Sequence, residues 1–311
     1  MSAEPSALGA GAPRAGKVLV TGWYSFLHGE ATSGDVLAGD AVTATLDSLG
    51  RTYDVVWSPG FRPGALHWED TIPQDYDTVV FACGPLHSNP PAPLLDLHER
   101  FAHCRRIAVG VSVPDPSDPA VTGFDVVLSR DGAGSEPVAD LALAAPEPDA
   151  VPVVGVILTD GQHEYGVRRR HGAVTEALTG WLHGLDVARL PLDTRLDTRD
   201  WRLAATPGQL RSVLNRLDVI VTTRLHGLVL GLQAGVPVLA VDPVDGGAKV
   251  TAQAQALDWP AILPADGLDA LPTWWNWCRS PTGRARARHG HTPDELVKGL
   301  ITALHGVAPP A

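Results

Sequence analysis

Short apolar runs rich in Val, Ile and Leu, each bounded by glycine or proline, recur along the chain between longer stretches of helical composition. Residues 17–22, 54–57, 77–82, 106–111 and 125–128 read as strands in the first half, and 153–158, 186–191, 219–221 and 238–241 in the second. The runs are nearly continuous rather than alternating, which marks strands covered on both faces, as in a parallel sheet. Helices are predicted between them, over 35–49 with Gly50 closing it, 93–104, 172–183, 206–217 and 225–234, with a further start at 135–143. Thr206-Pro207 supplies a cap followed by proline at the first helical position, and Thr292-Pro293-Asp294-Glu295 repeats the pattern before a last helix to residue 304.

The stretch from Asp218 to Val241 is the most informative. It reads as strand, turn, helix, turn, strand, with Gly235 where a left-handed C-cap belongs and Pro237 beyond it. The helix is apolar all round, so the unit belongs in a core. Arg224 and His226 fall between the first strand and the helix, at the edge where open α/β sheets bind ligands and where a helix N-terminus attracts anions. Two readings fit them: a cap and a core histidine, or an anion-and-proton site.

Composition narrows the choice. The 311 residues carry 44% hydrophobic residues, enough for two cores. A Pro/Ala/acidic shift ahead of Val153 places a boundary: a disordered tail over 1–16, a Rossmann-like domain over 17–145, a linker over 146–152, a second Rossmann-like domain over 153–290, and a C-terminal helix and tail over 291–311. Two parallel-sheet domains facing across a cleft give the plan of a GT-B glycosyltransferase. The net charge of −11 excludes an extended basic face, so neither nucleic acid nor an anionic membrane is an expected partner. Cys83, Cys104 and Cys278 lack metal-type spacing; no metal is expected, and a reducing, cytoplasmic setting is. No apolar run reaches the ~20 residues of a membrane span.

Other candidate chemistry gathers at strand ends. The loop 23–34 lacks the Gly-x-Gly-x-x-Gly of a dinucleotide site, but His28, Glu30, Ser33 and Asp35 crowd it, as helix caps or as a base. Cys83-Gly84-Pro85-Leu86-His87 reads as a tight turn, with Cys83 a small buried hydrophobe and His87 at the ligand edge. Arg130 stands between Ser129 and Asp131 at a strand exit. Arg168 to Arg170 read as a solvated face, residues 242–247 as a loop delivering Lys249, and Trp274, Trp275 and Trp277 as packing between domains.

Taken together, Asp218-Val219-Ile220, Arg224-Leu225-His226-Gly227, Gly235-Val236-Pro237-Val238 and Lys249 resemble the hallmark of the polysaccharide pyruvyl transferase family. Gly22 with Gly34-Asp35 is similar to its first glycine loop, Cys83-Gly84-Pro85-Leu86 to a reduced form of its triple-glycine turn, and Ser129-Arg130-Asp131 with Ala139-Asp140-Leu141 to its Arg-Asp segment. The resemblance implies transfer from phosphoenolpyruvate to two hydroxyls of a sugar or glycan, giving a pyruvate ketal without a further cofactor. It also implies Arg130, Arg224 and Lys249 as ligands of phosphoenolpyruvate and His226 beside them, where a histidine suits the general acid. Asp35, Glu30 and His28 remain alternatives for the base, and His87 is a further acceptor-side residue. A nucleotide-sugar glycosyltransferase and a catalytically silent carbohydrate-binding homologue are the competing readings of the same fold.

Overall fold

Strands buried on both faces frame each half of the computed structural model, which describes residues 16–26, 31–290 and 294–305. The chain divides into two units between Pro148 and Asp149. In the first, β1 (Lys17–Gly22), β2 (Tyr53–Val55), β3 (Tyr76–Pro85), β4 (Arg105–Val113) and β5 (Val126–Gly132) form a wholly parallel sheet ordered β2-β1-β3-β4-β5. Its helices are α1 (Ser33–Ser48), α2 (Pro93–Arg100) and the short α3 (Pro119–Thr122). Neighbouring residues of a strand enter different cores: Leu19, Val79 and Phe81 join one cluster, and Val18, Val20, Val80 and Ala82 the other. That is why the strands read as continuous apolar runs.

The second unit repeats the scheme with β6 (Val153–Ile157), β7 (Ala188–Pro191), β8 (Val219–Thr222), β9 (Val238–Val241) and β10 (Ile262–Leu263), parallel in the order β10-β9-β8-β6-β7. Its helices are α4 (His171–His183), α5 (Pro207–Leu214), α6 (Leu225–Gln233), α7 (Lys249–Ala256), α8 (Leu271–Arg279), α9 (Pro281–Ala287) and α10 (Asp294–His305). α5 opens with the expected Thr206 cap, reciprocated by Gln209, and Gly235 follows α6 at φ +73°. Both sheets therefore change direction between their first and third strands, β1 and β3 or β6 and β8. Loops leave such a point on opposite sides and open a crevice at the carboxyl edge.

Several expectations are corrected. Cys83-Gly84-Pro85 is no turn: β3 continues through it and stays in register with β4. The left-handed residues there, Cys83 (φ +65°) and Gly84 (φ +80°), lie across from a matching kink at Gly110 (φ +67°), so two adjacent strands bend together. Ser129-Arg130-Asp131 lies inside β5 rather than past its end. The helix expected over 135–143 shrinks to a short 3-10 turn, Leu141–Ala144, because Pro137 disfavours helix at its predecessor and the carboxylate of Asp140 caps Ala142. Trp274, Trp275 and Trp277 pack within their own unit, Trp275 against Trp181 at 5.7 Å and Trp277 against Trp259 at 5.2 Å.

Candidate functional site

The direction change of the second sheet carries Arg224 and His226. Thr222, the last residue of β8, donates its hydroxyl to the Ile157 carbonyl of β6 (2.8 Å) and accepts the backbone N–H of Arg224 (3.0 Å). Thr223 accepts the backbone N–H of Thr159 at 2.9 Å, so the ends of β6 and β8 are laced together by buried hydroxyls. Gly227 lets α6 settle directly on this lacing, for a Cβ there would sit 2.2 Å from the Thr222 hydroxyl. Arg224 occupies the N-cap position without capping the helix by its side chain, leaving the first-turn N–H groups of α6 open to an anion.

The Arg224 guanidinium is half engaged. Nη1 donates to Asp193 Oδ1 at 2.5 Å, and Nε and Nη2 have no partner among the described residues. Asp193 stands just beyond β7 and also accepts the Arg195 backbone N–H at 2.8 Å. His226, the second residue of α6, is exposed and makes no side-chain hydrogen bond to a described residue.

Lys249 opens α7, after a loop that leaves β9, the neighbour of β8. The loop owes its shape to Asp242, which is 0% exposed. Its Oδ2 accepts the backbone N–H groups of Ala248 (2.7 Å) and Thr251 (2.9 Å) and the Thr251 hydroxyl (3.0 Å), and its Oδ1 accepts Val244 N–H (3.1 Å). The arginine run, expected to be a solvated face, straps the same loop: Arg170 N–H donates to the Pro243 carbonyl, Asp245 N–H to the Arg168 carbonyl, and the Arg170 guanidinium to Asp245 at 2.9 Å. Lys249 Nζ lies 3.8 Å from Glu164 Oε1 and 6.0 Å from the Tyr165 ring centre. His171, first in α4 and buried, meets Gln162 through Nε2 at 3.1 Å; burial, helped by the charge of Arg169, holds its pKa below the ordinary value.

In the first unit the carboxyl edge gathers Asp35, Cys83 and Arg130. Thr32, not Ser33 or Asp35, caps α1, and the Asp35 carboxylate accepts its hydroxyl at 2.7 Å. Burial, with a hydrogen bond to Asp35, pushes the Cys83 thiol up to about 11, which suits an inert buried thiol rather than a nucleophile. Arg130 is fully committed: Nε to Asp131 (2.7 Å), Nη1 to Asp140 (2.5 Å) and Nη2 to Ser112 (2.7 Å), with Cys83 Sγ at 3.9 Å. The pairing holds the Asp131 carboxyl below the usual range; Asp140 is held there by the Ala142 N–H and by Arg130. His87 stacks on Trp23 at 5.0 Å, and Trp23 Nε1 donates to the Pro85 carbonyl. Gly84 makes this possible, since a Cβ there would meet the indole at 2.2 Å. His28 and Glu30 lie outside the described residues.

Sequence reasoning did not find Asp193, Glu164 or Asp242. Each follows a strand of the second sheet, and the repeated Asp-x-Arg triplets at 193–195, 197–199 and 200–202 were the one available signal. Among the described residues no group of three His, Cys, Asp or Glu is placed to hold a metal ion, and no helix is long and apolar enough to cross a membrane.

Residues 122–245 match the family model described as polysaccharide pyruvyl transferase, a stretch containing Arg130, Arg224 and His226 and ending four residues before Lys249. No curated protein matches the chain. Among solved structures, the chain is similar to a spinosyn forosaminyltransferase (14% identity, 93% of this chain and 99% of that one, TM-score 0.32). It is also similar to a UDP-GlcNAc 2-epimerase from Methanocaldococcus jannaschii (9% identity, 91% and 99%, TM-score 0.33) and to the E. coli heptosyltransferase WaaC with ADP (13% identity, 84% and 99%, TM-score 0.26).

Proposed function

We propose that the chain is a pyruvyl transferase that forms a pyruvate ketal on a sugar or glycan acceptor, with phosphoenolpyruvate as co-substrate and no further cofactor. The observation that carries the reading is the family match over 122–245, which takes in Arg224 and His226 at the open N-terminus of α6. Phosphoenolpyruvate bears a carboxylate and a phosphate on one small skeleton, so it calls for several cations and anion-binding N–H groups at one place. The unengaged Nε and Nη2 of Arg224 present a guanidinium edge to one of these groups, and the α6 N-terminus adds its N–H groups. Lys249, on the loop from the neighbouring strand, supplies a further cation after leaving Glu164. Arg130 must release Asp140 or Ser112 before it takes an anion, so it is the least prepared of the three.

In this reading His226 gives a proton to the methylene carbon, C3, and positive charge develops at C2. One acceptor hydroxyl attacks C2 while Asp35, at the carboxyl edge of the first sheet, serves as the acceptor-side base. Breakage of the C2–O bond releases phosphate, and a second hydroxyl closes the ketal. Of the two hydroxyl protons, one replaces the proton His226 gave up and the other leaves on phosphate.

The test is incubation with phosphoenolpyruvate and a panel of sugar acceptors, with phosphate release and the ketal mass on the acceptor as readouts. His226→Ala is expected to lower turnover by ~10²–10⁴-fold with unfolding unchanged. Wild-type turnover in that variant overturns the role of His226, and no ketal on any acceptor overturns the reading.

A further inference from the structure

We infer that the loop between β7 and α5 forms a carbohydrate subsite, a cavity of ≈ 450 Å³ in which a pyranose ring stacks on the indole of Trp201. Trp201 is 91% exposed and makes no ring contact within the described residues, an arrangement that leaves a large apolar surface in water. The cavity it lines is walled by apolar Leu203, Leu210 and Val213 together with Asp193, Asp197 and Asp200.

The loop is preformed by its own side chains. Each aspartate accepts the backbone N–H two residues on, at 2.8 Å from Arg195, 2.8 Å from Arg199 and 3.1 Å from Arg202, and each pairs with that arginine's side chain. Among the lining residues these three carboxylates outnumber the one guanidinium, that of Arg202, so the cavity offers mainly hydrogen-bond acceptors. Asp197 and Asp200 are kept below the ordinary carboxylate range, Asp197 first by the Arg199 N–H and Asp200 first by the Arg202 guanidinium, so both are ionised acceptors at neutral pH. A neutral ligand with an apolar face and a rim of hydroxyls meets these surfaces: its C–H face covers the indole, and its hydroxyls donate to the aspartates and accept from Arg202. An anionic ligand is repelled by the three carboxylates. A proline-rich peptide uses the indole and leaves the carboxylates unanswered.

Asp193 both lines the cavity and receives Arg224, so a sugar held there lies one side chain away from the candidate anion site. The inference holds whether or not phosphoenolpyruvate is the donor.

Saturation-transfer NMR on the full chain, with methyl hexopyranosides and hexose disaccharides as probes, tests it. Ring protons of at least one probe are expected to receive saturation from the wild type. Trp201→Ala is expected to weaken that probe by ~2–10-fold, with Trp201→Phe largely retaining it and His226→Ala leaving it unchanged. The thermal midpoint should barely move, because Trp201 is 91% exposed. No saturation of any probe, saturation undiminished in Trp201→Ala, or a Trp201-dependent response to a proline-rich peptide with none to sugars each overturns the proposal.

Discussion

At the scale of single residues, the partners that packing brings to a charge decide how much of it stays available. Arg224 follows β8 and Arg130 lies inside β5, yet one keeps two nitrogens unengaged among the described residues and the other none, because only Asp193 meets the Arg224 guanidinium while Asp131, Asp140 and Ser112 surround Arg130. Asp242 is the sharpest case. It is fully buried and accepts four hydrogen bonds, three of them from backbone N–H groups that have nowhere else to turn once the carboxylate is gone. Asp242→Ala should cost about 3 kcal/mol in urea unfolding, and Asp242→Asn, which keeps an acceptor on one side only, about half as much. Because the loop sets the start of α7, which opens with Lys249, the proposed reaction predicts that the alanine variant raises the KM for phosphoenolpyruvate more than it lowers kcat. An unchanged urea midpoint would show that the network contributes little.

Among the elements, α6 shows how glycines place a site. It is short and apolar, and it lies close to β8 and β9 because Gly227 and Gly231 present no Cβ to Thr222, Ile220 and Val238. The Thr222 hydroxyl is tied to Ile157 and Arg224 and has no room to retreat, so Gly227→Ala should push the start of α6, with Arg224 and His226, off its seat. The expected loss is about 1–3 kcal/mol, accompanied by weaker binding of the proposed donor. Gly180 in α4 provides the control: nothing lies within 4 Å of a Cβ there, so Gly180→Ala should gain about 0.5–1 kcal/mol from helix propensity alone. Matched thermal melts of the two variants, moving in opposite directions, check the argument. The βαβ unit holding α6 is legible in the sequence, since buried strands, Gly235 and Pro237 are local signals. The bend at Cys83 is not, because glycine and a left-handed φ mark a turn and a kinked strand alike, and only the pairing of β3 with β4 on both sides of Gly110 distinguishes them.

For the whole molecule, nine of the ten strands among the described residues are legible because apolar runs announce them locally, whereas the two-residue β10 and the partners that finish the site come from strand pairing and loop packing that no local pattern encodes. The same distribution of buried groups sets the response to pH. His98 packs on α3 through the Ala120 carbonyl at 3.0 Å; burial chiefly, and the charge of Arg106, hold its pKa down, with the Ala120 hydrogen bond and Asp125 opposing. His171 is depressed by burial and Arg169, against Asp160, Asp242 and Glu164. With folded values below the ordinary histidine value of about 6.5, the unfolded chain takes up protons first. Stability is therefore whole above pH ~6.5 and falls as pH drops from there toward the folded values. Asp118, Asp125, Asp131 and Asp140 are all held below the usual carboxylate range, so a second loss should begin below pH ~4. On the alkaline side the sign reverses, for burial raises Cys83 to about 11 and Cys278 to about 12, and the unfolded thiols ionise first as pH climbs past ~8.5. Urea midpoints should thus be highest between pH ~7 and ~8 and decline on both sides. The double variant His98→Gln/His171→Gln, less stable at pH 7.5, should lose the step between pH 7 and 5 while keeping the one below 4; an intact step would assign it to other groups.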